Sequence, residues 1–287
     1  MQELIVLSGK GGTGKTSIVG SLAALAEKKV MADCDVDAAD LHLLLNPVVR
    51  RKEEFWSGQS AVIDSEKCTQ CGLCRKLCRF NAIENFQVDP IACEGCGFCS
   101  HICPVDAITM KENLAGYLFI SDTKYGPLVH AKLGIAQENS GKLVAKVRQQ
   151  SKKVAAESGA EYIICDGPPG IGCPVVSSLS GANMALLVIE PTLSGIHDME
   201  RVMGVCSHFN VPAVVCVNKF DINEDNTRNI ERYCASQNVE VAAKIPFDNV
   251  VTEAMVKGIP VVEYSNGDVA QEIKKLWQRI PGLLKSK

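Results

Sequence analysis

Two stretches of this chain carry residue types at spacings that can do chemistry. The first, Gly9-Lys10-Gly11-Gly12-Thr13-Gly14-Lys15-Thr16 with Ser17 after it, fits G-x-x-x-x-G-K-[ST]. Glycines let backbone N–H groups close around phosphate oxygens, and the following helix N-terminus adds positive potential. Lys15 is then expected on the β- and γ-phosphates of ATP, with the Thr16 hydroxyl on Mg²⁺. An ordinary glycine turn between a strand and a helix is the bland alternative. The second stretch is Cys68-x₂-Cys71-x₂-Cys74-x₃-Cys78, followed by Cys93-x₂-Cys96-x₂-Cys99-x₃-Cys103-Pro104. The x₂ spacings let successive thiolates wrap one face of a cubane, and the cysteine after each x₃ gap serves the other cluster. That assigns Cys68, Cys71, Cys74 and Cys103 to one [4Fe–4S] cluster and Cys78, Cys93, Cys96 and Cys99 to a second. Two Cys₄ zinc sites are the competing reading, although zinc ribbons separate their C-x₂-C pairs more widely.

Carboxylates stand where a phosphate site needs them. Asp33, Asp35 and Asp37 follow Val30-Met31-Ala32, and Asp166 follows Tyr162-Ile163-Ile164-Cys165. Ligands bind at the C-terminal ends of such strands. Asp166 is therefore expected to serve Mg²⁺, and one of the earlier group to orient the attacking water. Asp37 and Asp40 read as loop-solvating.

The elements that must position these groups follow from periodicity. Leu4 to Leu7 is a short apolar run, and Ile18, Val19, Leu22, Leu25 and Ala26 recur at helical spacing. The runs 162–165, 185–189 and 213–217 suit buried parallel strands, with 239–245 and Val261-Val262 as two more. Lys142 to Glu157 and Val250 to Val256 read as helices between them. This is a βαβ layout, α/β with a mostly parallel sheet in a three-layer αβα arrangement. One Cys-rich, Gly-punctuated module interrupts it, so the chain divides into 1–57, 58–112 and 113–287.

Composition narrows the classes. The 287 residues are 46% hydrophobic and 22% charged, enough for a sizeable core, and the formal net charge of −3 argues against a nucleic-acid scaffold. Fourteen cysteines would suit a secreted disulfide framework. However, Met1-Gln2-Glu3 leads into Leu4 with no basic n-region or long apolar segment, so metal ligands in a reducing cytoplasm are expected instead. Cys165 and Cys216 lie in apolar strand runs and read as core. Near the C-terminus, Val269, Ile273, Leu276, Trp277 and Ile280 form one helical stripe, interrupted by Pro281 and Gly282. Docking on its own domain is expected for it rather than membrane binding.

Lys10 to Thr16 resembles the deviant Walker A motif of the MinD/Mrp/ParA family, which includes the nitrogenase iron protein. The likeness covers the first ~45 residues and most of the chain after about 113. It implies a P-loop NTPase fold and slow ATP hydrolysis. It also implies an ATP-dependent homodimer, or a heterodimer with a paralogue, in which Lys10 reaches the other subunit's phosphates. By position it gives Asp35 the water-orienting role and Asp166 the Mg²⁺-linked role. Asn218 of Val217-Asn218-Lys219 would contact adenine, with Pro246 of Pro246-Phe247-Asp248 beside the base. Residues 58–112 resemble a bacterial two-[4Fe–4S] ferredoxin, with Arg79 where proline usually follows the fourth cysteine. Together they resemble MinD-family ATPases with an inserted ferredoxin domain, whose connecting segment is similar to Gly126–Ala131 and Glu138–Lys142. That architecture implies nucleotide state coupled to electron transfer with an unidentified redox partner. Cluster delivery and MinD-like positioning with redox-sensing clusters are the alternatives. Cys173, seven residues after Asp166, matches a cysteine that ligates a shared cluster in the nitrogenase iron protein, but no second such cysteine accompanies it.

Overall fold

The computed structural model describes residues 1–134 and 139–285. Glu138, part of the connecting segment named above, lies outside them. The chain forms two compact units: 1–52, 118–132 and 140–287 make one, and 53–117 with 133–139 the other.

The first unit begins with β1 (Gln2–Ser8), α1 (Lys15–Leu25), β2 (Lys29–Asp33) and α2 (Leu41–Leu45). The chain passes out through β3 (Val48–Ile63), and α3 (Leu73–Leu77), β4 (Ile83–Glu84), β5 (Gln87–Val88) and α4 (Phe98–His101) follow. It returns through β6 (Ile108–Thr123) and continues with β7 (Gly126–Leu133), α5 (Ser140–Ser158), β8 (Tyr162–Pro169), α6 (Cys173–Leu179), β9 (Met184–Ile189) and α7 (Leu193–His208). The last elements are β10 (Ala213–Asn218), α8 (Glu224–Ser236), β11 (Glu240–Ile245), α9 (Val250–Val256), α10 (Val261–Tyr264) and α11 (Asp268–Lys285).

The sheet order is β11-β10-β9-β1-β8-β2-β7-β6-β3, and every pairing from β11 to β7 is parallel. β2 and β9 are buried along their whole length and β1 from its second residue, as continuous apolar runs covered on both faces require. The expected α/β parallel-sheet P-loop fold is therefore observed. The chain reverses direction across the sheet at β1, with β8 on one side and β9 on the other, which opens a crevice at the strands' C-terminal ends.

Two expectations need correction, and two strands are added to those expected. Val261-Val262 is not a strand but starts the short helix α10, both side chains buried in the core. Proline does not stop the terminal helix. α11 runs through Pro281 to Lys285, and Val269, Ile273, Leu276, Ile280 and Leu284 are all buried. Burial of these five side chains outweighs the ~3 kcal/mol that an interior proline costs. Trp277 completes the docking edge-on to Tyr162, ring centroids 5.6 Å apart. Finally, β3 and β6 were not anticipated, because β3 is mostly exposed and its charged stretch Arg50 to Glu54 offers no apolar run. No helix among the described residues is long and apolar enough to cross a membrane.

The second unit, taken by itself, is a repeat in backbone conformation. Residues 25 positions apart share it: Gln70 and Gly95 have φ of 57° and 63°, Gly72 and Gly97 75° and 72°, Asn81 and Asp106 53° and 50°. The Asp64 carbonyl accepts from Cys68 N and that of Asp89 from Cys93 N, both at 3.0 Å. Gly95 cannot follow Gln70 in carrying a side chain, because a Cβ there would stand 2.2 Å from the Gln59 carbonyl oxygen. Ala61, Cys74, Ile83 and Ile108 form the small core of this unit.

Candidate functional site: a phosphate loop and two cysteine-lined cavities

The loop between β1 and α1 supplies the first site. Gly14 stands at the N-cap of α1 with φ of 84°, and a Cβ there would lie 2.4 Å from Asn218 Nδ2. Only glycine meets both demands. Asn218 is held in turn by donating Nδ2 to the Thr13 carbonyl at 2.7 Å, so its side chain braces the loop from the end of β10.

Lys15 and Thr16 share one carboxylate. Lys15 Nζ lies 2.6 Å from Asp166 Oδ1, and Thr16 Oγ1 donates to Asp166 Oδ2 at 2.8 Å. Asp35 Oδ2 is 4.0 Å from the same ammonium. Burial acts to lower the Lys15 pKa, but the Asp166 carboxylate outweighs it and the net shift is upward. Asp35 is raised as well, but here by burial, which pushes its carboxyl up to about 6 against the pull of Lys15. Asp33 is fully enclosed and raised well above the usual range by burial first and Asp166 second. Its oxygens accept from Asp35 N at 3.1 Å and Leu41 N at 3.2 Å, so it shapes the loop that presents Asp35.

A cavity of about 700 Å³ is lined by Gly11, Gly12, Thr13, Gly14, Lys15, Thr16, Ser17, Asp35, Asn218 and Pro246. Asp37 and Asp40 also line it, as do Phe247 of the loop expected beside the base and Lys219 and Met255, to which the sequence reading gave no role. Asp166 lies behind Lys15 and Thr16, essentially without exposure. Gly9 and Lys10 are not among the lining residues. A Cβ on Gly9 would stand 2.2 Å from Asp198 Cβ, so this glycine permits the approach of α7. Lys10 Nζ turns to Thr192 Oγ1 at 3.2 Å, Ser194 Oγ at 3.3 Å and Glu190 Oε2 at 3.4 Å. Glu190 carries no motif and was invisible to the sequence reading. Its position, just past the buried run 184–189, was the one available signal.

The second unit gathers the eight cysteines of the two runs around two cavities. One, of about 370 Å³, is lined by Cys78, Cys93, Cys96 and Cys99, with Cys74 also at its wall. The other, narrower, is lined by Cys68, Cys71, Cys74 and Cys103. Backbone donors face the sulfurs: Gln70 N to Cys68 Sγ at 3.4 Å and Ala107 N to Cys103 Sγ at 3.3 Å. None of the eight is in a disulfide. Among the described residues no three His, Cys, Asp or Glu side chains converge tightly enough to hold a single metal ion. The remaining cysteines behave differently. Cys165 and Cys216 are buried as expected, and burial pushes the Cys216 thiol up to about 12. Cys173 is exposed at the start of α6.

The family model for the CobQ/CobB/MinD/ParA nucleotide binding domain, CbiA, matches residues 4–261. An uncharacterized protein of Methanocaldococcus jannaschii is 34% identical over 283 residues, covering 98% of this chain and 96% of its own length. The septum site-determining protein MinD of Thermotoga maritima is 23% identical over 292 residues, covering 97% and 88% respectively. Among solved structures, MinD of Pyrococcus horikoshii complexed with Mg-ADP superposes with a TM-score of 0.61 at 19% identity, covering 98% of this chain and 96% of that one. The MinC:MinD cell division protein complex of Aquifex aeolicus gives 0.59 at 19% identity, covering 98% and 96%.

Proposed function

This chain belongs to the CobQ/CobB/MinD/ParA nucleotide-binding family, and from that premise we propose that it is a MinD-like ATPase switch. ATP closes two copies, or one copy and a paralogue, into a dimer that a partner protein engages, and hydrolysis reopens it. The cysteines of the second unit hold two [4Fe–4S] clusters that make the switch responsive to redox state. The observation that carries the ATPase reading is the Lys15–Asp166–Thr16 constellation beneath the glycine loop, with Asp35 at its edge. Likeness to MinD proteins over nearly the whole chain favours this reading over dedicated electron transfer.

The residues divide the work of hydrolysis. Arrival of triphosphate draws Lys15 from Asp166 towards the phosphate oxygens, and backbone N–H groups of Gly11 to Thr16 donate to the same oxygens. Thr16 and Asp166, left facing each other, would hold Mg²⁺, directly and at second hand respectively. Bound Mg²⁺ neutralises charge developing on the β- and γ-oxygens. Asp35 accepts a hydrogen bond from water and aims it in line, so catalysis is positioning plus charge stabilisation. Lys10 adds charge from the other copy, and Asn218 and Pro246 border the base. Lys15→Ala and Asp35→Asn, assayed for MgATP turnover and for ATP-dependent mass by light scattering, test the reading. Turnover indifferent to both substitutions would sink it.

The thiols fit the clusters in chemistry and arrangement. Soft thiolates suit iron–sulfur units, and the two cavities are lined by the two sets that the interleaved spacing assigns. Bound clusters supply one-electron chemistry. The chain contributes the sulfurs, the N–H donors at Gln70 and Ala107, and the walls that limit water. The same observation favours a second reading, in which nucleotide state gates electron transfer to a redox partner. Anaerobic measurement of ATP-dependent dimerisation with the protein oxidised and reduced separates the two. A redox-dependent dimer constant supports the switch. ATP-dependent reduction of an acceptor, with no such dependence, supports electron transfer. Intact transfer of iron to an apo-protein would support the cluster carrier instead.

A further inference from the structure

Lys10 is positioned to reach a neighbouring copy's phosphates only if nothing in its own chain holds it, yet three groups do. Its ammonium lies 3.2 Å from Thr192 Oγ1, 3.3 Å from Ser194 Oγ and 3.4 Å from Glu190 Oε2. Glu190 is the centre of the arrangement. Its other oxygen, Oε1, pairs with Lys219 Nζ, which also donates to the Gly12 carbonyl at 3.4 Å inside the loop. One carboxylate, its side chain 13% exposed, thus bridges two lysines that flank the phosphate site.

The backbone that carries this carboxylate is held in place. The Glu190 carbonyl accepts from Thr192 N at 2.8 Å, and a Cβ on Gly195 would stand 2.4 Å from that same carbonyl oxygen. Thr192 Oγ1 also accepts from Gly195 N at 3.0 Å and caps α7. The segment from β9 into α7 is therefore tight, and the groups that hold Lys10 are presented on it together.

We infer that Glu190 is a positioning residue that latches Lys10 within its own chain and must release it before two copies close on ATP. The inference rests on the ATP-dependent dimer proposed above. A latch open in about one molecule in three lowers the apparent affinity of the dimer about tenfold, because both copies must open. Neutralising Glu190 removes the only carboxylate on Lys10 among the described residues while keeping a side chain of the same shape.

The test uses the full chain, anaerobically purified, with the MgATP-dependent dimer dissociation constant read by analytical ultracentrifugation. Glu190→Gln should tighten the dimer about tenfold, and the gain should vanish in Glu190→Gln/Lys10→Ala, since coupled residues are not additive. Ser194→Ala, which removes one partner at the surface, should give a smaller gain with the same dependence on Lys10, and it serves should Glu190→Gln not fold. A dimer constant unchanged or weakened in the folded variant, or a gain that survives without Lys10, overturns the latch. A wild-type chain that never dimerises with MgATP overturns the proposed function and the latch together. A wild-type dimer indifferent to Glu190 overturns the latch alone.

Discussion

Replacing Asp35 by asparagine should stabilise the nucleotide-free protein while it abolishes turnover. The Asp35 side chain is 16% exposed, and burial raises its carboxyl from 3.8 to about 6. A folded-state value above the unfolded one means that the folded chain binds the proton more tightly. The associated stability is complete below pH ~4 and is lost as pH rises to about 6. At pH 7.5 the folded protein therefore carries an ionised carboxylate at a cost. Two pH units correspond to ~3 kcal/mol as an upper bound. Contact with water and the loss of attraction to Lys15 reduce the expected gain to ~1–2 kcal/mol. For a domain of this size that is a rise in Tm of about 2–6 °C. The assay is thermal unfolding of wild type and Asp35→Asn without nucleotide at pH 7.5 and again at pH 4.5. The difference should shrink to about a third at the lower pH, where the folded wild-type carboxyl is already neutral and the unfolded one still mostly ionised. A variant no more stable at pH 7.5, or a gap undiminished at pH 4.5, contradicts this account. The trade of stability for a poised carboxylate is a usual mark of an active site.

Other outcomes follow from the same geometry. Asp166→Ala takes from the buried Lys15 ammonium its nearest carboxylate, leaving Asp35 at 4.0 Å and the enclosed Asp33, and should cost ~3–5 kcal/mol in urea unfolding. Gly14→Ala combines a φ of 84° with a clash on Asn218, so nucleotide binding by isothermal titration should be lost although the rest of the domain stays folded. Cys78→Ala and Cys103→Ala should each remove roughly half of the iron, from different clusters distinguishable by EPR. Equal loss from both clusters in each variant would contradict the interleaved assignment. Leu276→Ala should cost ~2–5 kcal/mol as a core truncation. Liposome flotation with and without ATP should find no membrane binding through the docked α11 stripe.

Much of the first unit was legible because its signals are local. A run such as Leu4 to Leu7 must be buried on both faces, and the glycine spacing that lets a loop close on phosphate is readable without the rest of the chain. Val250 to Val256 was read as a helix with the bounds that the fold adopts. Elements whose support lies elsewhere were missed. β3 is held mostly by a neighbouring strand rather than by apolar side chains of its own, and α10 takes its shape from Pro260 and the pocket that its two valines fill. Pro281 misled because the terminal helix draws its stability from the core beneath it.

The sequence alone determined which residues can carry the chemistry: the glycine loop with Lys15 and Thr16, the carboxylates after β2 and β8, and the two four-cysteine runs. Each is set by spacing along the chain, which needs no knowledge of distant partners. Only the tertiary structure decided how those residues stand towards one another. It put Asp166 rather than Asp33 against Lys15, buried Asp33 as the brace of a loop, raised Asp35 to about 6 by enclosing it, and folded Lys10 back onto Glu190, 180 residues away in sequence. Burial and charge pairing depend on which strands lie side by side, and β1 meets β8 and β9 only once the whole sheet has formed.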